Sequence, residues 1–262
     1  MKLNFQLLIV ILVFPILLLA QESNKLSESP RHQQWVDFQR ENGSILKAFV
    51  VYPESQVSTK AVILIHENMG LNDWARTFSD ELAGQGFLVI APDLISNTLE
   101  GIAKTSDFEN SDKARDAIYA LDQEQVNKDL DMVYAYVNND PSSNGKVSVI
   151  GFCWGGSQSF NYATQNPNLE SVMVYYGTAP KDLSILKNIK SPVYGFYGGA
   201  DNRVNATIPD TEKTMKEYVK PYIFDIYEGA GHAFMSRGAL EAYGPNTMAY
   251  EKSWKKLLSL LK

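Results

Sequence analysis

Short apolar runs alternate with amphipathic stretches along most of the chain, and this alternation predicts an α/β fold. The clearest run is AVILI at residues 61–65. A continuous apolar run of this length is typical of a strand that is buried on both faces of a parallel sheet. Similar runs predict further strands at residues 87–91, 146–150, 171–176, 192–197 and 222–227.

The segments between these runs carry apolar residues at helical spacing. In one of them, residues 123–138, the side chains of Val126, Leu130 and Val133 share a helical face. Further helices are predicted over residues 73–85, 157–165, 206–219 and 247–261. Because strand and helix alternate, the chain is predicted to form a mostly parallel, doubly wound sheet with helices on both faces.

The region before residue 61 has a different pattern. Residues 34–40 and 46–52 are strand-like and are separated by a turn at Asn42-Gly43, so they predict an antiparallel hairpin. We expect residues 34–262 to form a single domain, because no repeat, low-complexity tract or linker divides them. Within this domain, residues 94–122 are polar and acidic with one short helix, and we expect them to form a lid.

The N-terminal residues are apolar after Met1-Lys2 and end in a change of composition after Ala20. This pattern predicts a secretory signal peptide over residues 1–20, followed by a flexible leader over residues 21–33. We therefore expect an exported protein, either periplasmic or secreted. An uncleaved anchor is the alternative, because the apolar run approaches the length of a membrane-spanning helix.

The net charge and the cysteine content exclude some classes of partner and of covalent cross-link. The chain has 262 residues, a net charge of −6 and no basic cluster, which argues against a nucleic-acid partner. It contains one cysteine, so an internal disulfide is excluded and the fold depends on its hydrophobic core. We expect a monomer that meets a membrane only through the signal segment, if that segment stays uncleaved.

The single cysteine, Cys153, lies in the motif GFCWGG between a predicted strand and a predicted helix. Glycines two positions before and after a residue at such a turn are typical of a nucleophile elbow, which exposes the side chain above the sheet. The helix start behind it favours a thiolate. A lone cysteine is otherwise more often a small buried hydrophobe, so its partners decide the interpretation.

A base and a carboxylate follow Cys153 along the chain. His232 in GAGHAF follows the last predicted strand, and Asp201 in GGADN follows the strand before it. Catalytic groups of open α/β sheets collect at these carboxyl ends of the strands. A thiol nucleophile needs a histidine base that a carboxylate orients. The order nucleophile, acid, base is that of the α/β-hydrolases.

The loop after the first buried strand, HENMGLN at residues 66–72, supplies a further acidic group, Glu67. His66-Glu67 could be a metal-binding fragment, but no second histidine follows four residues on, so no metal is expected. As part of a hydrolase, this loop would provide the backbone N–H of Asn68 to an oxyanion hole, together with the N–H of Trp154.

The motifs HENMGLN, GFCWGG, GGADN and GAGHAF together resemble those of the dienelactone hydrolases (carboxymethylenebutenolidases), a Cys-Asp-His branch of the α/β-hydrolase fold. The resemblance covers most of residues 35–262. It implies that Cys153 is the nucleophile, His232 the base, Asp201 its orienting acid, and Glu67 a carboxylate that helps to form the thiolate when substrate binds. It also implies cleavage of a lactone or ester through a thioester, without a metal or organic cofactor.

One departure concerns the arginines that hold the substrate carboxylate in chlorocatechol-pathway members of this family. One of them follows the Pro-Asp-Leu at a strand end, whereas Pro92-Asp93-Leu94 is followed here by Ile-Ser-Asn. Arg237 is the remaining candidate for a carboxylate contact, and an exposed surface role is the alternative. Tyr119 and Phe234 are candidate walls of an acyl pocket, with core packing as the alternative.

The sequence thus predicts an exported, cysteine-dependent hydrolase of a small lactone or carboxylic ester. A catalytically silent binding protein with the same fold is one alternative, although a binding protein has no need for a nucleophile, a base and an acid together. A cysteine peptidase or an acyltransferase is another.

Overall fold

The structure, a computed structural model, describes residues 25–262, and its centre is an eight-stranded sheet with the strand order β1-β2-β4-β3-β5-β6-β7-β8. The first two strands pair antiparallel, β2 also pairs antiparallel with β4, and the pairs from β4 through β8 are parallel. The predicted mostly parallel sheet with an antiparallel hairpin is therefore confirmed. The strands are β1 Gln33–Gln39, β2 Ile45–Val51, β3 Thr59–Ile65, β4 Leu88–Asp93, β5 Ser143–Phe152, β6 Val172–Tyr175, β7 Val193–Gly198 and β8 Tyr222–Tyr227.

Helices cover both faces of the sheet, as predicted. The helices are α1 Asp73–Ala83, α2 Ser111–Tyr119, α3 Gln123–Asn139, α4 Trp154–Ala163, α5 Asn202–Asn205, α6 Ile208–Glu217, α7 Phe234–Gly238 and α8 Pro245–Leu261. One apolar cluster contains Leu130 of α3, and the other contains Phe78 of α1. Strand β3 contributes Ile63 to the first cluster and Leu64 to the second, which explains why its sequence is apolar throughout.

The short helices α5 and α7 were not expected from the sequence. They have four and five residues, too few for a periodic apolar pattern to be visible. A 3-10 helix at Leu183–Asn188 was missed for the same reason.

The described residues cover only part of the N-terminal predictions. The predicted signal peptide lies outside the described residues, as do residues 21–24, and export stays a prediction. Residues 25–33 differ from a flexible leader, because Arg31 and Ser29 both donate hydrogen bonds to the buried carboxylate of Asp80 in α1, at 3.1 and 2.6 Å. Within residues 25–262, every helix is too short or too polar to cross a membrane.

A buried ion pair joins the hairpin to α3. The Arg40 Nη2 atom lies 2.8 Å from Asp129 Oδ2, and each side chain is only 2% exposed. Arg40 also donates from Nη1 to the carbonyl oxygen of Ser96 at 2.8 Å. One guanidinium therefore connects the end of β1, helix α3 and the segment that follows β4.

We predict that Asp129→Ala lowers the free energy of unfolding by about 3–5 kcal/mol, because it leaves the Arg40 guanidinium buried without a counter-charge. Urea unfolding measures the effect. The matched control is Asp37→Ala, which removes the partner of Lys47 in a more exposed pair and should cost about 1 kcal/mol or less. Equal losses for the two variants would contradict the prediction.

Candidate active site

Cys153 lies at a sharp turn between β5 and α4. Its backbone has φ 55° and ψ −116°, in the left-handed half of conformational space that residues other than glycine rarely adopt. The flanking glycines are needed at this turn because neighbouring backbone segments approach them closely. A Cβ atom at Gly151 would lie 1.9 Å from the carbonyl oxygen of Gly155, and a Cβ atom at Gly155 would lie 2.3 Å from the carbonyl oxygen of His66. The strand-turn-helix geometry predicted from the motif is present.

The structure brings Cys153, His232 and Asp201 into contact. His232 Nε2 lies 3.0 Å from Cys153 Sγ, and His232 Nδ1 lies 2.5 Å from Asp201 Oδ2. The Asp201 side chain is 6% exposed and also accepts a hydrogen bond from the N–H of Val204 at the start of α5. The carboxylate therefore has a fixed orientation and can in turn orient the imidazole.

The thiol of Cys153 is held in its neutral form. Burial raises the pKa of Cys153 to about 11, and the negative charge of Glu67 adds to this rise. The backbone N–H groups of Trp154 and Asn68 and the charge of Arg203 act against it. The two amides that were predicted to form an oxyanion hole thus reach the sulfur, at the place where a carbonyl under attack would have to bind.

Glu67 is a buried carboxyl group beside the thiol. It is 4% exposed, accepts a 2.9 Å hydrogen bond from the Tyr176 hydroxyl and has a longer contact of 3.5 Å with Ser236. Burial raises the pKa of Glu67 from 4.5 to about 7, while the two hydroxyls and the charge of Arg237 act in the opposite direction. Near neutral pH this group can therefore hold or release a proton.

Tyr176 is a site residue that the sequence analysis missed. It directly follows β6, has a left-handed φ of 40° and is 1% exposed. Besides its bond to Glu67, its ring lies 5.1 Å from the ring of His232 in an edge-on arrangement. Its position at the end of a predicted strand was the available signal, but the residue type alone gave no indication of a role.

His66 supports the loop that carries Glu67. Its ring is fully buried and stacks on Trp154 at a centroid distance of 5.5 Å, and Nδ1 lies 2.8 Å from the carbonyl oxygen of Glu67. Burial lowers the pKa of His66 to about 4, so the ring is neutral and can donate from Nδ1. Within residues 25–262, no group of three His, Cys, Asp or Glu side chains could hold a metal ion.

A cavity of about 740 Å³ opens above the thiol. It is lined by Glu67, Asn68, Met69, Trp74, Tyr119, Cys153, Arg203, His232, Ala233, Ser236, Arg237 and Leu240. Tyr119 and Arg237 thus line it as predicted, whereas Arg203 was not anticipated. Tyr119 is also the one lining residue that comes from the segment 94–122, so the expected lid contributes little to this cavity.

The prediction that Phe234 contacts substrate is wrong. The Phe234 side chain is fully buried, and its ring packs 5.2 Å from that of Tyr176. The preceding residue, Ala233, has a left-handed φ of 60° and caps α7. This conformation leaves Ala233 at the cavity wall, while Phe234 joins the apolar cluster beneath it.

Two guanidinium groups at the cavity lack an acidic partner in the described part of the chain. Among residues 25–262, neither Arg203 nor Arg237 has a carboxylate oxygen within the 4.0 Å of an ion pair. Their charges act on Cys153 and Glu67, respectively. The cavity therefore combines a thiol, an imidazole and positive charge.

Comparison with known proteins agrees with the family resemblance of the motifs. A sequence model of the dienelactone hydrolase family matches residues 46–262. A protein of Saccharolobus solfataricus named as a carboxymethylenebutenolidase is 32% identical over 86% of this chain and 96% of its own. A Bradyrhizobium protein named as a 2-oxo-3-(5-oxofuran-2-ylidene)propanoate lactonase is 27% identical over 87% of this chain and 93% of its own.

A solved structure agrees with the fold. The crystal structure of a protein from Klebsiella pneumoniae named as a dienelactone hydrolase superposes with a TM-score of 0.75. The match covers 88% of this chain and 98% of the other, at 21% sequence identity.

We predict that Glu67→Gln stabilises the protein in a pH-dependent manner. In the unfolded chain Glu67 loses its proton near pH 4.5, but in the folded protein it keeps it up to about pH 7. Stability therefore falls as the pH rises between these values and stays low above them. The variant lacks this loss, so its advantage should grow from about 1 kcal/mol at pH 5 to about 3 kcal/mol at pH 8.

Urea unfolding at both pH values measures this difference. Glu228→Gln, at an exposed carboxyl group, is the matched control and should show no such trend. An advantage of Glu67→Gln that is the same at pH 5 and pH 8 would show that burial does not perturb this carboxyl group.

Proposed function

Because the chain belongs to the dienelactone hydrolase family and is thus a hydrolase of ester or lactone bonds, we propose that it acts through a Cys153-His232-Asp201 triad and a thioester intermediate. The observation that carries this proposal is the pair of contacts of the His232 ring, 3.0 Å to Cys153 Sγ and 2.5 Å to Asp201 Oδ2. A base between a nucleophile and an orienting carboxylate is the arrangement that covalent acyl transfer requires.

In the acylation step, the substrate carbonyl oxygen occupies the position between the N–H groups of Asn68 and Trp154. The thiol proton of Cys153 passes to His232 Nε2 as the sulfur forms a bond with the carbonyl carbon. The two N–H groups stabilise the developing oxyanion, and each such donor typically lowers the barrier by about 3–4 kcal/mol. When the C–O bond breaks, His232 returns the proton to the leaving oxygen.

Glu67 controls when the sulfur becomes reactive. In the resting site its negative charge and the burial of the thiol both oppose the thiolate. With a pKa of about 7, Glu67 can take up a proton from water as substrate enters and fills the cavity, and it releases this proton to water when the product leaves. Loss of its charge removes one of the two effects that keep Cys153 neutral, so ionisation of the thiol is coupled to the arrival of substrate.

In the second step, a water molecule attacks the thioester carbon. His232 accepts a proton from this water, the C–S bond breaks, and the sulfur regains its proton from His232. The acid product then leaves the cavity. Every proton that His232 accepts in this scheme is returned within the same step, and no group outside the chain and its substrate is consumed except water.

The substrate carries a carboxylate group in this proposal. Arg203 and Arg237 supply two positive charges to the cavity wall. We assign to Arg203 the carboxylate contact that the arginine missing after Leu94 would otherwise make. The name of the Bradyrhizobium relative describes a lactone that bears a propanoate group, which is the same combination of ring ester and carboxylate. Guanidinium groups suit the planar oxygens of such a group.

We predict that Cys153→Ala lowers the rate of p-nitrophenyl acetate hydrolysis by about 10⁴-fold or more. The free energy of unfolding should change by less than about 1 kcal/mol, because the removed sulfur is small and partly exposed. Mass spectrometry of the wild type, quenched during turnover, should find the acetyl group on Cys153. Ser157→Ala removes the nearest hydroxyl along the helix and, as the control, should keep its activity.

Two outcomes would count against this mechanism. Turnover that persists in Cys153→Ala would show that another group is the nucleophile. If the wild type gave neither an acyl adduct nor turnover with a panel of esters and lactones, the alternative of a silent binding protein would be preferred.

We predict that Arg203→Gln and Arg237→Gln selectively impair anionic substrates. The specificity ratio kcat/KM for p-nitrophenyl hydrogen succinate over p-nitrophenyl butyrate should fall about 10-fold for each variant, as for loss of a charged hydrogen bond. Arg115→Gln removes the same charge from an arginine that pairs with Asp112 outside this cavity, and should leave the ratio unchanged. A ratio that is equal in all four proteins would mean that the arginines do not bind the substrate charge.

A further inference from the structure

A second cavity adjoins the loop at residues 66–72 that carries Glu67. Its volume is about 480 Å³, which is within the usual range for small-molecule sites. It shares Met69 with the catalytic cavity, but Cys153, His232 and Glu67 do not line it. Strand β1, helices α1 and α2 and the segment 104–111 form its other walls.

The walls of this cavity are largely apolar and partly aromatic. Trp35 and Phe108 present rings, and Met69 and Leu71 add aliphatic surface from the loop. Aromatic walls of this kind favour a flat apolar ligand over a hydrated ion, because stacking and burial of ring surface contribute together.

The two acidic groups at this cavity, Asp73 and Asp93, are already engaged by the protein, and Asp73 pairs with Arg76 on α1. Asp93 is fully buried and accepts hydrogen bonds from the N–H and the hydroxyl of Thr105, at 2.6 and 2.8 Å. The Thr105 hydroxyl oxygen in turn accepts from the N–H of Leu71 at 2.9 Å. These bonds fix the segment 104–111 to the loop, so the cavity has a preformed wall.

Positive charge at the cavity is, by contrast, available. Lys104 Nζ lies 5.5 Å from the centre of the Trp35 ring. Within residues 25–262 no carboxylate oxygen lies within 4.0 Å of this nitrogen. Arg76 also lines the cavity, but its guanidinium is paired with Asp73, so Lys104 is the cation that remains available for a ligand. A free ammonium group beside an indole ring is complementary to an aromatic ring that bears an anionic group.

We propose that this cavity is an accessory binding site for a small aromatic carboxylate. The ring of the ligand packs against Trp35 and Phe108, and its carboxylate pairs with Lys104. The ligand contacts Met69 and Leu71, which belong to the same loop as Glu67 and Asn68 of the catalytic cavity. Binding at this site needs none of the proposed catalytic groups.

The test is titration of the Cys153→Ala protein with 1-naphthoate in a calorimeter, so that hydrolysis plays no part in the result. From the number of atoms in this ligand we expect a dissociation constant of about 1 mM or tighter. Lys104→Gln in the same background should weaken binding about three- to fivefold, as for loss of a partly exposed ion pair. It should not change the binding of the neutral analogue 1-naphthalenemethanol. Lys113→Gln, at an exposed lysine outside the cavity, is the matched control and should bind as before.

Two further substitutions locate the ligand. Ala114→Trp fills the cavity from its buried wall, and Ser106→Trp fills it from an exposed position, so one remains informative if thermal unfolding shows the other to be unstable. Each should abolish binding of both ligands. The proposal is overturned if 1-naphthoate does not bind at about 10 mM. It is equally overturned if Arg237→Gln weakens binding while Lys104→Gln does not, because the carboxylate would then lie in the catalytic cavity.

Discussion

Gly155 touches the backbone of the neighbouring strand so closely that a Cβ atom at this position would lie 2.3 Å from the carbonyl oxygens of Ile65 and His66. The rest of the site depends on this contact. It brings the start of α4, with the N–H of Trp154, against the end of β3, from which the loop with Asn68 and Glu67 emerges. The relative position of the two amides at the sulfur is therefore set by backbone packing, which has little freedom to change.

Asp201 and His232 are brought to Cys153 by a general property of parallel sheets, whose strands end at a common edge. Strands β5, β7 and β8 end at one edge, so the turns that follow them place Cys153, Asp201 and His232 within contact distance. Glu67 joins them from β3, and Tyr176 joins from the end of β6. The outcome is a site with two buried acidic groups, in which burial disfavours ionisation of both and the charge of Glu67 further disfavours ionisation of the Cys153 thiol.

The sequence was sufficient to predict the sheet, its longer helices and the grouping of Cys153, Asp201 and His232 at one edge. Burial produces the apolar runs and the helical periodicity, and a local backbone requirement produces the glycines around Cys153. Both kinds of pattern can therefore be read from the sequence. The roles of Tyr176, Arg203 and Phe234 were not visible, because they depend on where a side chain points after the fold has formed. Phe234 shows this clearly: one left-handed residue before it decides that its ring enters the core.

The neutral state of the Cys153 thiol lowers its susceptibility to oxidation. Peroxides and disulfides react with the thiolate, and a thiol with a pKa of about 11 supplies very little of it at neutral pH. Between encounters with substrate, the only sulfhydryl of the chain is thus shielded from sulfenic acid formation and from mixed disulfides. A low thiolate fraction therefore helps to keep Cys153 reduced in a chain that contains no second cysteine to resolve its oxidation.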